Sequence, residues 1–117
     1  MSASFPKTNR VVDKKDYARI FSEADRVPSN HLILLYCGNS LPQCRLGLAI
    51  SKKHLAKAVE RNRVKRQIRE FFRHHQAEYK GLDIMFISRP ATGGADNPML
   101  RRSLEGLWKK LGERCAA

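Results

Sequence analysis

The chain has 117 residues, 42% hydrophobic and 8% aromatic, with 23 Lys+Arg against 11 Asp+Glu and a net charge of +12. That length suits one domain, 1–117, and the apolar content is too high for a disordered basic tail. The charge calls for a polyanionic partner, nucleic acid before anionic membrane. No window approaches the ~20 apolar residues that span a bilayer, and Met1–Lys7 lacks the apolar core of a signal peptide. A cytoplasmic protein with no membrane partner is expected.

Residues 1–12 read as an extended or flexible polar-basic segment. Asp13 is placed to cap a helix over Lys14–Ala24, with Tyr17, Ile20 and Phe21 on one face. Pro28 breaks the pattern and fits a short edge strand and turn over Arg26–Asn30, because proline cannot donate to a ladder. His31–Cys37 is a strongly apolar strand. Gly38–Pro42 reads as a hairpin loop, and Cys44–Ser51 as the partner strand with Leu46, Leu48 and Ile50 on one face. Gly47 and Ala49 then lie on the other face. Such small residues either leave room for a ligand or pack tightly under the first helix, and the sequence leaves both readings open.

Lys52–Val59 is a polar turn leading into a basic helix that ends by about Tyr79, with Gly81 as its stop. Leu82–Ser88 is a third long strand, ended by Arg89-Pro90. Thr92–Pro98 reads as a flexible loop. Met99–Leu111 is a last helix with Leu100, Leu104, Leu107, Trp108 and Leu111 on its apolar stripe. The fold class is α+β, with helices over one sheet. Cys37, Cys44 and Cys115 form no metal-type pattern; Cys37 and Cys44 could face each other across a hairpin, but free buried thiols are expected in a reducing cytosol.

The functional signal concentrates in Arg61–Arg73. Val64, Ile68, Phe71 and Phe72 recur at helical spacing and seal a core face. Arg61, Lys65, Arg69 and Arg73 fall four apart in a cationic stripe, which Arg63 and Arg66 widen. From Lys52 to His75 there are nine Lys/Arg against two Glu. Like charges at i,i+4 repel, and a polyanion held against them removes the repulsion. Arginine grips phosphate bidentately, and Asn62 can bond a base edge or a ribose hydroxyl. Tyr17, Phe21 and Tyr36 suit base stacking, although on the residues alone a core role for Tyr17 and Phe21 is slightly favoured.

Catalytic apparatus is sparse. Asp13, Asp16, Asp25, Asp83 and Asp96 form no clustered two-metal site. His74 and His75 are adjacent, so they diverge by about 100° on a helix. A histidine-pair nuclease using His54 or His31 with His74 is the remote alternative. No catalytic residue and no protein-only metal site is expected.

Arg61-Asn62-Arg63-Val64-Lys65-Arg66-Gln67-Ile68-Arg69, preceded by Leu46–Lys53, closely resembles the bacterial ribonuclease P protein family. Asn9-Arg10-Val11, Asp16-Tyr17 with Ile20-Phe21, Ala58-Val59-Glu60, Asp83–Pro90 and the final leucine-rich helix extend the likeness over almost the whole chain. The resemblance implies a four-stranded sheet in αβββαβα order. It also implies a left-handed βαβ crossover, against the usual rule, as in the second domain of a small-subunit ribosomal protein. By the same resemblance, a catalytic RNA removes the 5′ leader of precursor tRNA with Mg²⁺ that the RNA mainly holds, and no obligate protein partner is needed. Lys52, Lys53, Arg61, Asn62, Arg63, Lys65, Arg66, Arg69 and Arg73 are the expected contacts to the catalytic RNA. Tyr17, Phe21, Tyr36 and Ser51 are the expected leader cleft, Tyr17 standing where the family more often has Phe. A general or ribosomal RNA-binding protein without processing activity is the alternative.

Overall fold

The computed structural model describes residues 10, 11 and 14–115. The Asp13 cap and most of the 1–12 segment lie outside the described residues. The elements are α1 (Lys14–Glu23), β1 (Asp25–Pro28), β2 (Leu32–Gly38), β3 (Arg45–Ala49), α2 (Ala58–His75), β4 (Leu82–Ser88) and α3 (Asn97–Cys115). Single 3-10 turns cover Gln76–Glu78 and Pro90–Gly94. This is the expected αβββαβα order.

The sheet runs β1-β2-β4-β3. β4 pairs with β2 antiparallel, from Leu32↔Ser88 to Gly38↔Leu82, and with β3 parallel, from Arg45↔Asp83 to Ala49↔Ile87. Gly38–Pro42 is therefore not a hairpin loop, and β3 is not the partner of β2. The reason lies in β4, which is apolar on both faces and buried along Asp83–Phe86. Such a strand is stable only between two neighbours with both faces covered, so it displaces the local β2–β3 pairing. The parallel β3–α2–β4 unit follows, because parallel neighbours need a crossover.

Two cores use the two faces of the sheet. Leu32, Leu34, Leu46, Ile84 and Phe86 face α2 and α3, meeting Val64, Ile68, Phe71, Phe72, Leu100, Leu104, Leu107, Trp108 and Leu111. Leu35 and Met85 face the other way, toward Val11 and Ile20, with Tyr17, Ile33, Cys37, Ala49 and Ile87 packed around them. Trp108 ties α3 to the end of α2. It lies edge-on to Phe71 (5.6 Å) and Phe72 (6.2 Å), and its indole N–H donates to Glu78 at 3.0 Å.

Most element ends shift by one to four residues from expectation, and three places bear on the site. α2 begins at Ala58, so the turn before it is shorter than Lys52–Val59. α3 begins at Asn97, where the Asp96 carboxylate accepts the Met99 N–H at 2.9 Å and Pro98 occupies a first-turn position that has no use for an N–H. The expected loop at Thr92 is anchored: Thr92 is fully buried and its hydroxyl donates to the His31 carbonyl. Gly81 adopts φ 76°, the left-handed conformation that glycine reaches without penalty, between α2 and β4. Arg10 bridges Leu46, and the Val11 N–H donates to the Leu46 carbonyl at 2.9 Å, so these two residues cover the free edge of β3 at Leu46.

Candidate nucleic-acid interface

Burial of Val64, Ile68, Phe71 and Phe72 fixes which way α2 faces. Successive residues turn by about 100°, so Arg61, Lys65 and Arg69 line one flank of the buried stripe. Asn62, Arg66 and Arg69 are exposed and Lys65 is half-buried. Lys65, Arg66 and Arg69 make no ion pair with another described residue. Their charge is left for a partner.

Three of the expected contact residues have structural work as well. The Arg61 guanidinium donates to the carbonyls of Leu55 (2.9 Å) and Ala56 (2.8 Å), which ties down the turn before the helix. Arg63 stands two residues from both Arg61 and Lys65, which carries it across the helix rather than widening their stripe. There it pairs with Glu60 at 3.0 Å and donates to Asn97 Oδ1 (2.8 Å) and the Ala95 carbonyl (2.9 Å), clamping α2 to the start of α3. Arg73 pairs with Glu70, which also meets His74.

Lys52 and Lys53 project from a braced turn. The Ser51 N–H donates to Ser88 Oγ at 2.8 Å, Ser51 Oγ accepts the Lys53 N–H at 3.0 Å, and the Ser51 carbonyl accepts the His54 and Leu55 N–H groups. Both lysines are exposed. Ser51 thus shapes the turn that presents them.

A groove of about 230 Å³ runs along the β3 edge, lined by Arg10, Val11, Tyr17, Leu46, Leu48, Lys65 and Arg69. It joins an aromatic ring of α1 to the cationic flank of α2. Gly47 lies beneath that ring. A Cβ there would stand 3.4 Å from the Tyr17 ring and 3.1 Å from Met85 Cε, so the missing side chain is taken up by tight packing under α1. The same packing seats Tyr17, half-buried, on the groove wall. Phe21, one turn later, is 55% exposed and is not a core residue. Tyr36 shares its sheet face with Leu32 and Leu34 and packs against the α2/α3 core. Strand alternation therefore removes it from the α1 face, and the structure does not join it to Tyr17 and Phe21.

A buried ion cluster that the sequence reading missed holds α1 in place. Asp83 is fully buried in β4. Its carboxylate accepts from Arg45 Nε and Nη2, both at 2.7 Å, from Asn39 at 3.0 Å and from Arg19. Arg45 also pairs with Asp16 at 3.3 Å, and Arg19 donates to the Gly38 carbonyl at 2.9 Å and to Cys37 Sγ at 3.1 Å. Burial pushes the Asp83 carboxyl up, but the Arg45 and Asn39 hydrogen bonds and the Arg45 and Arg19 charges outweigh it and hold it below the usual range. An aspartate inside an apolar strand was the available signal, because a carboxylate is rarely buried unpaired. Burial pushes the Cys44 thiol up to about 12. All three cysteines are free, but only Cys44 is buried; Cys37 is half-buried and Cys115 is exposed at the end of α3.

The histidines do not converge. His54 meets Ser88 Oγ at 2.8 Å before α2, His31 meets Ser103 at 3.0 Å, and His74 lies at the far end of α2 beside Glu70. Asp16 and Asp83 are engaged by arginines, so they do not supply the open carboxylate oxygens that Mg²⁺ takes. Among the described residues, no helix is long and apolar enough to cross a membrane.

The chain matches the Ribonuclease P family over residues 5–112. It is 44% identical over 112 residues to the ribonuclease P protein component of Stutzerimonas stutzeri, covering 95% of this chain and 86% of that one. Among solved structures, it superposes on a Staphylococcus aureus RNase P protein mutant with defective mRNA degradation activity at TM-score 0.84, with 33% identity over 91% and 90% of the two chains. The RNase P protein of Thermotoga maritima matches at TM-score 0.77 and 30% identity, over 86% and 96%.

Proposed function

The chain belongs to the ribonuclease P protein family, and from that premise we propose that it binds the catalytic RNA of the holoenzyme and the 5′ leader of precursor tRNA. The observation that carries the reading is the set of unpaired cations on one flank of α2, continuous with the β3-edge groove. Lys52, Lys53, Asn62, Lys65 and Arg66 contact the RNA subunit. Arg61 and Arg73 add their charge to that surface while tied to the turn before α2 and to Glu70, and Arg63 braces α2 against the start of α3. The leader lies along the groove between Lys65, Arg69 and Arg10, with bases stacked on Tyr17 and Phe21.

In this reading the RNA subunit performs the hydrolysis with Mg²⁺ that it mainly holds itself. Asp16 and Asp83 do not offer open oxygens to a magnesium shell, because Arg19 and Arg45 already take them. The protein acts by electrostatics. Each phosphate neutralised releases counterions, so affinity falls steeply with salt. Two RNA strands can then approach with less repulsion, which raises substrate affinity and lowers the magnesium requirement.

The test is precursor tRNA cleavage at low Mg²⁺ with the RNA subunit alone, this protein alone, and both. Cleavage only with both is expected. Cleavage by the protein alone would overturn the reading, and RNA binding with no gain in cleavage would favour a general RNA-binding protein. Phe21→Ala is expected to weaken precursor tRNA by one stacking contact, ~1–3 kcal/mol, and to leave mature tRNA unchanged. Equal losses for the two RNAs, measured as dissociation constants, would remove the leader from this groove.

A further inference from the structure

We infer that a second RNA-backbone site lies on the opposite side of the molecule, in the groove between the β1–β2 turn and α3. The groove holds about 280 Å³, and its polar lining is Ser29, Asn30, His31, Arg102, Ser103 and Lys110. No carboxylate lines it. Arg102 and Lys110 are exposed, and neither makes an ion pair with another described residue. Eight residues separate them, ~12 Å along the helix, so together they reach beyond a single phosphate.

Between the two cations stands Gly106, where nothing lies within 4 Å of a would-be Cβ. The helix surface is open there, and a sugar-phosphate chain can lie against it. The rest of the lining supplies hydrogen-bonding groups without negative charge. The His31 ring is held at 3.0 Å from Ser103, and the Ser29 carbonyl receives the Arg89 guanidinium at 2.6 Å, which fixes the turn that forms one wall. Cations with hydroxyl and amide groups are the equipment of phosphate and ribose contact.

The occupant is the RNA subunit rather than the leader. β1 and β3 are the two edges of the sheet, ~14 Å apart across three strand spacings, and the leader is assigned to the β3 edge. This site therefore engages a second RNA segment. The inference rests on the functional reading above.

The test compares Arg102→Ala/Lys110→Ala with the charge-matched control Arg101→Ala/Lys109→Ala, by titrating the RNA subunit over a range of salt. The first pair is expected to reduce the slope of log K against log salt by ~1.5, two contacts at 0.7–0.9 each. The control is expected to keep the wild-type slope. All four residues are exposed, so melting temperatures are expected to match and provide the check on folding. A wild-type slope in the first pair, or the same reduction in both, would overturn the site. A loss confined to precursor tRNA alone would overturn its assignment to the RNA subunit. Failure of the wild-type protein to bind the RNA subunit would instead overturn the functional reading.

Discussion

Asp83→Ala is expected to destabilise the fold by about 3–5 kcal/mol, the loss that follows when one partner of a buried ion cluster is removed. The magnitude comes from what remains. Arg45 and Arg19 converge on this fully buried carboxylate, and without it two guanidiniums face each other with only Asp16 to share. Urea denaturation of wild type and variant measures the effect, and an unchanged midpoint would refute it. The loss also has a pH signature. The Asp83 carboxyl is held below its ordinary value in the folded state, so its stabilisation is complete above the unfolded value of ~3.9. It disappears as pH falls through the lower folded value. The gap between wild type and variant is therefore expected to stay constant at neutral pH and to close only in acid. Damage should begin at α1, which hangs on this cluster through Arg19 and Asp16 and buries only one residue fully, Ile20.

Arg66→Ala and Arg63→Ala are expected to fail in opposite ways, although the two arginines stand three apart in one basic run. Arg66 is exposed and has no ion pair among the described residues. Its loss should leave stability within ~0.5 kcal/mol of wild type and lower the salt slope of RNA binding by ~1. Arg63 bonds Glu60, Asn97 and the Ala95 carbonyl. Its loss strands these partners and should cost ~1–3 kcal/mol of stability, with any loss in RNA binding following from a displaced α3 start. Melting curves and salt titrations on both variants check this. A stable Arg63→Ala protein with a reduced slope would return Arg63 to the list of direct contacts.

Much of the fold was legible because its signals are local. The bounds Leu82–Ser88 of β4 follow from an apolar run between Gly81 and Arg89-Pro90, and the two faces of α2 follow from helical spacing alone. What escaped depends on pairings between distant residues. The position of β4 between β2 and β3 is set by double-sided burial, whereas Gly38–Pro42 carries every local mark of a hairpin. Tyr36 alternates correctly with Leu35, but which of those faces meets α1 depends on the strand order. Arg63 is one cation among six in the sequence, and only the approach of Asn97 and Ala95 marks it as a clamp. Gly47 allowed both open space and close packing, and the ring of Tyr17 decides for packing.

The strand order also sets a timetable for synthesis. β2 cannot complete its pairing until β4 has been made, and Leu32 waits for Ser88, 56 positions later. Until then the nascent chain carries one unfilled edge on β2 and another on β3, both apolar, as it leaves the ribosome. Such long-range pairing slows folding and leaves strand edges open to other chains. The cationic helix is translated within that interval, between β3 and β4. Its like charges repel between unfinished chains when their edges are most exposed, so the cations proposed to meet RNA are also placed as gatekeepers against aggregation.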